Sequence, residues 1–210
     1  IQVIQVILVN PIVDLEILPS GQPNWRLVAA EVVDGVSAFA VGLAQGLSFD
    51  SFITQNATIT FRDAGRGIVE TLVGVNAEIT ADTVVGPFFA DGGFTVRGIP
   101  FAFNFASGVF SAGRPTALRA DMSDPESGDL AEFTGAWKHQ GGKKSVTGDI
   151  RASGTNFSST ILKFFRAWGL VPPMAQGMKV EFAIDAKTAW KPGELRFNEV
   201  KGKLGDITGT

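Results

Sequence analysis

The chain has 210 residues, 45% of them apolar and 19% charged, with a formal net charge of -3. That is enough apolar material for a substantial core, so a mainly disordered chain is excluded, and the acidic balance argues against a general nucleic-acid binder, which needs a basic surface. With no cysteine and a single histidine, His139, disulfide scaffolds, thiolate zinc sites, cysteine nucleophiles and multi-histidine metal sites are excluded as well.

Alternation with a period of two runs through the chain and predicts strands with one apolar and one polar face. In Ile12-Val13-Asp14-Leu15-Glu16-Ile17, Val13, Leu15 and Ile17 share a face. A helical segment is read, on weak propensity, over 33–44. Ala57, Ile59 and Phe61 oppose Thr58, Thr60 and Arg62; Val75, Ala77 and Ile79 oppose Asn76, Glu78 and Thr80. Phe101, Phe103 and Phe105 alternate with Ala102, Asn104 and Ala106. Residues 145–152 and 178–186 continue the pattern. Turn chemistry separates these runs at Pro19-Ser20-Gly21, 63–67, Gly86-Pro87, Asp91-Gly92-Gly93, Gly98-Ile99-Pro100 and Gly141-Gly142. Many strands with short connections predict an antiparallel meander. The clearest helix spans 158–170, capped by Asn156 or Ser158 and stopped at Gly169 and Pro172-Pro173. No linker divides the chain, so residues 1–210 read as one domain. There are 17 Phe, 25 Gly and no Tyr, a composition that suits a β-rich protein with an apolar inner surface. No segment has the run of ~18–20 apolar residues needed to span a membrane. The start at Ile1, inside a strand and without methionine, reads as an internal piece of a longer protein.

Catalytic chemistry has few footholds. Asp121, Asp124, Glu126 and Asp129 cluster in a loop, but their order does not fit a calcium loop. His139, in Trp137-Lys138-His139-Gln140-Gly141-Gly142-Lys143-Lys144, reads as part of a solvated hairpin tip, or as a basic knob for anionic headgroups. Gly142-Lys143-Lys144-Ser145 resembles a phosphate loop only superficially, because Trp137 stands where the first glycine is required. A carbohydrate-active pair of carboxylates drawn from Asp149, Glu181 and Asp185 is the enzymatic option. Alternation puts Glu181 and Asp185 on a polar strand face, the default place for exposed acids. The residues therefore point to no enzyme, no cofactor and no metal.

Four ordered stretches resemble the AsmA family of Gram-negative envelope proteins, relatives of TamB. They are 10–16 followed by Gly21-Gln22-Pro23-Asn24-Trp25; 59–64 leading to 72–79; Gly86-Pro87-Phe88 through 92–98; and the helix ending at Leu170, followed by 177–182 and 195–205. Phe61 stands at the family's aromatic position, which is otherwise a tyrosine, and the family's N-terminal membrane helix is not in this sequence. The resemblance implies a long, curved, mainly antiparallel sheet folded into a taco-like groove, with one or two short helices. It also implies a periplasmic domain attached to the inner membrane, serving outer-membrane assembly and the transport of phospholipid between the two membranes.

On that reading Ile59, Phe61, Val75, Ile79, Phe101, Phe103 and Phe105 line a groove for acyl chains. The residues alone favour a closed core for the same positions, since most apolar strand faces pack internally. A structural or assembly module that binds outer-membrane protein partners through an exposed strand edge is the alternative.

Overall fold

The computed structural model describes residues 2–24, 48–83, 85–111, 113–167 and 179–209. They form strands β1 (Gln2–Val9), β2 (Ile12–Ile17), β3 (Ser48–Asp63), β4 (Ile68–Ala81), β5 (Phe88–Val96), β6 (Ile99–Ser107), β7 (Thr116–Ser123), β8 (Leu130–Gln140) and β9 (Lys143–Gly154). Helix α1 (Phe157–Ala167) follows, then β10 (Phe182–Lys191), β11 (Glu194–Leu204) and β12 (Ile207–Gly209). The helix expected over 33–44 lies outside the described residues, as do Trp25, Gly177, Met178 and the end of the helix read over 158–170, with its Gly169 and Pro172-Pro173 stop.

All twelve strands belong to one open sheet, in the order β1-β3-β4-β5-β6-β7-β8-β9-β10-β11-β12, with β2 also on β3. Eleven strands in succession at about 4.8 Å make a sheet roughly 48 Å across. From β3 onward every pairing is antiparallel. The connections are tight because glycine and its neighbours accept positive φ, as at Arg97-Gly98 and Gly141-Gly142, where both turn residues lie in the left-handed region.

Four expectations need correction. The sheet is mixed: β1 and β2 both run parallel to β3. The 30 residues of 18–47 supply the long connection that such pairing requires, which a count of short turns overlooks. Asp91-Gly92-Gly93 is not a turn but the middle of β5; glycine stands there because a Cβ on Gly92 would come within 2.8 Å of the Ala77 Cα on the next strand. Ile99 and Pro100 likewise belong to β6, and only Arg97-Gly98 turns the chain. The strand read over 178–186 is shifted: β10 starts at Phe182 and runs on to Lys191.

Cross-strand register carries the apolar alternation from strand to strand. Val13 faces Ile59 and Leu15 faces Phe61; Ala57 faces Val75, and Ile79 faces Phe52 and Ala90. Phe94 faces Phe101, Phe105 faces Ala120, Ala120 faces Phe133 and Phe133 faces Ile150. Ala152 faces Ile184, Val146 faces Trp190, Trp190 faces Leu195 and Leu204 faces Ile207. One side of the sheet is therefore apolar from β1 to β12, and the other carries the polar positions. Three bulges keep this phase despite extra residues; each holds one residue with positive φ, at Asn56 in β3, Gly74 in β4 and Glu199 in β11. Asn10, also with positive φ, separates β1 from β2, and its Oδ1 accepts a hydrogen bond of 2.7 Å from Asn56 Nδ2 on the facing kink.

The sheet bends toward its apolar side. Gly135 and Gly148 face one another, and a Cβ on either would lie within 2.8 Å of the other's Cα and of the Phe133 ring. The backbone of the neighbouring strand thus stands up on the apolar side at this point, a glycine corner of the kind that curves sheets.

Candidate functional site

The seven expected groove residues all lie on the apolar side. Phe101, Phe103 and Phe105 form a row along β6, and Phe94 on β5 packs its ring 5.7 Å from Phe101 and 6.0 Å from Phe103. Ile59, Phe61 and Ile79 are half-buried on β3 and β4, and Val75 is buried. The closed core favoured by the residues alone is not found at these positions: six of the seven keep part of their surface exposed, and only Val75, at 6%, is enclosed. The physical reason is that the described residues supply one layer. Only five apolar residues among them are buried, namely Ala57, Val75, Val96, Ile99 and Phe182. The chain exposes 13430 Å², whereas a compact protein of its 22.2 kDa exposes about 9,400 Å².

The face extends well past the seven residues. Phe133, Trp137, Ile150, Ile184 and Trp190 continue it across β8, β9 and β10. The alternation Ala131, Phe133, Gly135, Trp137 was present in the sequence, but the glycine at its centre hides the apolar row. At the far end the face opens into a cavity of about 450 Å³ between Phe182, Ile184, Val200, Leu204 and Ile207, with Phe157 set edge-on to Phe182 at 5.6 Å. No sequence signal marked this cavity, because its walls come from three strands and the start of α1.

The polar face carries a cross-strand row, Glu78, Asp91, Asn104, Asp121, Glu132, Arg151, Asp185 and Lys201, each directly opposite the next. Arg119 lies 3.6 Å from Asp121 and 4.0 Å from Glu132, and Arg151 donates to Asp185 at 3.1 Å. A shallow hollow of about 280 Å³ sits over Asp91, Asn104, Arg119 and Asp121. Of the carboxylates weighed for catalysis, Asp149 and Asp185 are exposed on this face; Glu181 is exposed just before β10. Among the described residues no three acidic or imidazole groups come together to hold a metal ion.

His139 is corrected from a hairpin tip to the body of β8. It is 5% exposed, its ring is 5.8 Å from that of Trp137, and its carbonyl accepts from the Gly113 amide. The tip itself is Gly141-Gly142, with Lys143 and Lys144 exposed beside it. Alternation explains the difference: His139 follows Trp137 on the apolar side, beside the backbone of Gly113.

The loop 124–129 is also a structural device. Asp124, 5% exposed, accepts from the amides of Glu126 at 2.8 Å and Ser127 at 3.3 Å, and from Lys163 Nζ on α1. Asp129, also buried, accepts from the Thr155 amide at 3.3 Å and from Thr160 Oγ1. Asn156 Oδ1 caps the helix through the Ser159 amide at 3.1 Å. Asp124 and Asp129 thus clasp α1 to the sheet and Glu126 adds a contact to Lys163 at 3.7 Å, whereas Asp121, expected in the same loop, lies in β7. Burial pushes the Asp124 carboxyl up, but the hydrogen bonds from Lys163, Glu126 and Ser127 outweigh it and hold it below its ordinary value. A carboxyl depressed in the folded state stabilises above its unfolded pKa, and the contribution fades as pH falls through the folded value. Asp124→Asn is therefore expected to cost about 1.5–3 kcal/mol at pH 7, the range for hydrogen bonds to a charged group. In urea titrations the gap to the parent should narrow as pH drops below about 4; a gap independent of pH would contradict the assignment.

Among the described residues no helix is long and apolar enough to cross a membrane. No family model, no curated protein and no solved structure matches the chain.

Proposed function

We propose that this chain is a non-catalytic module of the Gram-negative cell envelope whose apolar face takes the acyl chains of phospholipid. In this reading it gives lipid a dry path between inner and outer membrane, as the resemblance to the AsmA family suggests. The periplasm, with attachment to the inner membrane in the whole protein, is the place that fits such a role. The observation that carries the reading is the half-exposed apolar side running unbroken from β1 to β12 with Ile59, Phe61, Val75, Ile79, Phe101, Phe103 and Phe105 in its floor. A sheet with one apolar side needs something to cover it, and an exposed patch of this extent marks a binding surface. Each buried methylene of an acyl chain contributes about 0.8 kcal/mol. The hydrocarbon of one leaflet is about 15 Å deep, so one chain would cross about three strands.

Native mass spectrometry of detergent-free protein, followed by organic extraction, tests the proposal. Stoichiometric phospholipid is expected. A clean mass, together with failure to take up lipid from vesicles, would reject it.

A second reading draws on the first edge of the sheet. Val9 and Ile12 are exposed on β1 and β2, Ile12 to 78%, and no described strand lies on the outer side of β1, whereas the outer side of β2 is taken by Asn24 at Asp14 and Glu16 and by Pro23 at Ile17. An unprotected apolar edge suits strand addition by an outer-membrane protein partner. Mild crosslinking that captures such a partner while extraction yields no lipid would favour this reading.

A further inference from the structure

We propose that the end of the sheet formed by the β8–β9 turn and the β6–β7 connection is a docking surface for a bilayer with anionic headgroups, with Arg114, Lys138, Lys143 and Lys144 as the residues that meet the charge. The inference goes beyond the acyl-chain reading: it concerns adhesion to a membrane surface, not the filling of the apolar face. Three observations support it.

The first is charge without partners. Residues 133–148 contain three lysines and no acid, and the β6–β7 connection contains Arg114 and no acid, in a chain whose formal net charge is -3. Arg114, Lys143 and Lys144 are exposed, and Lys138 is half-buried. None of the four forms an ion pair with any described residue. In the neighbouring β10–β11 hairpin, by contrast, Lys191 and Arg196 share Glu194.

The second is placement. Lys138 pairs with Ser145 and Lys143 with Gln140, which puts both lysines on the polar side; Lys144 pairs with His139 and so stands on the apolar side. Arg114 adjoins Gly113, whose amide donates to the His139 carbonyl, so the β6–β7 connection lies against the end of β8. Phe110, its ring 5.3 Å from Trp137 and 6.1 Å from Phe88, holds that connection in place. The cations thus come from both sides of the sheet and meet at the strand ends, which suits end-on contact with a flat charged surface. Val109, 50% exposed in the same connection, adds an apolar point that can enter the headgroup layer. From the tip, His139 and Trp137 lead directly onto the apolar side, so docking here sets the rim of that face against the bilayer. A soluble polyanion would make no use of that continuity.

The third is polarity along the strands. At the other end of β8, roughly 30 Å away by strand rise, the loop 124–129 sets Asp124, Glu126 and Asp129 against the single cation Lys163. An anionic surface attracts one end of these strands and repels the other, which selects the orientation.

The test is sedimentation of the full chain with vesicles of phosphatidylcholine alone or with about 30% phosphatidylglycerol added as the anionic lipid. Binding is expected on the phosphatidylglycerol vesicles, with loss in about 1 M salt, where the screening length is about 3 Å. Binding to phosphatidylcholine alone should be weak. The double variant Lys143→Gln, Lys144→Gln should bind the anionic vesicles about ten- to thirtyfold more weakly, the scale of two lysines near such a surface. The double variant Lys201→Gln, Lys203→Gln removes the same charge from exposed positions near the far end of β11. It should stay within about twofold of the parent, because those positions lie beyond the screening length from the tip. Urea midpoints check that both variants are folded. Equal losses for the two variants would assign the effect to net charge and overturn the docking surface. So would equal binding to both kinds of vesicle, or binding to heparin without binding to either. Absence of vesicle binding alongside phospholipid found by extraction would overturn this inference and leave the acyl-chain reading; lipid-free protein that binds the anionic vesicles would do the reverse.

Discussion

Gly135→Ala and Gly148→Ala should each destabilise the protein by about 2–3 kcal/mol, at the upper end of the usual cost of overpacking. Both positions lie on the apolar side, which is largely unfilled, so a methyl group would ordinarily be harmless there. The obstacle is backbone. A Cβ on Gly135 would stand 2.8 Å from the Gly148 Cα and 2.6 Å from Phe133 Cζ; one on Gly148 would stand 2.6 Å from the Gly135 Cα. The Phe133 ring can swing away, but the Cα atoms can separate only if the β8–β9 corner opens. Gly202→Ala is the matched control. It also lies mid-strand on the apolar side, its nearest neighbour would be the Ala183 carbonyl at 3.8 Å, and its φ is not positive. Alanine there should be neutral or stabilising, by up to about 1 kcal/mol, because glycine in a strand carries an entropic cost. Urea denaturation of the three variants checks this. Equal effects at all three positions would mean that the corner is not set by backbone contact. Because the corner turns the sheet toward its apolar side, the two destabilised variants should also bind lipid less well, once compared at matched fractions folded.

Phe103→Glu should abolish measurable acyl-chain binding, or weaken it at least tenfold, while leaving the chain folded. Phe103 sits between Gly92 and Met122 in the floor, with its ring against Phe94, and is only half-buried. In the lipid-free protein a glutamate can therefore reach water, and the loss of stability should stay near 1–2 kcal/mol. Under a bound chain the same carboxylate would lose its water and find no partner, since its cross-strand neighbours on that side are Gly92 and Met122. Tenfold corresponds to about 1.4 kcal/mol, no more than one lost apolar contact, so it is a lower bound. Phe89→Glu, on the opposite face of the adjoining strand, controls for charge alone and should leave binding within about twofold. Lipid uptake from vesicles, with circular dichroism as the check on folding, reads out both variants. Equal binding by Phe103→Glu and the parent would remove this face from the lipid path.

The alternation at Ile12–Ile17, at Phe101–Phe105 and along β3, β4 and β9 was legible because side-chain direction in a strand depends only on parity. The Gly141-Gly142 turn and the Asn156 cap were legible for a similar reason: each is a local bargain between neighbouring residues, decided by φ or by one hydrogen bond. What lay out of reach involved distant partners. Asp124 and Asp129 look like ordinary acids of a polar loop until Lys163 and Thr160, more than 30 residues away, close on them. His139 looks like part of a tip until the strand is seen to carry it one pair further onto the apolar side.

By itself the sequence determined the period of two, the apolar and polar sides of each strand, most of the turns and the capped start of α1, because these follow from steric and hydrogen-bonding rules acting over a few residues. The tertiary structure alone decided that the apolar sides of twelve strands join into one face, that this face bends inward at Gly135 and Gly148, and that β1 and β2 run parallel to β3. It alone decided that the face stays half-exposed and ends in a cavity walled by β10, β11 and β12. These depend on which strand meets which, and an apolar strand has the same pattern whether it meets a second sheet, a lipid or water.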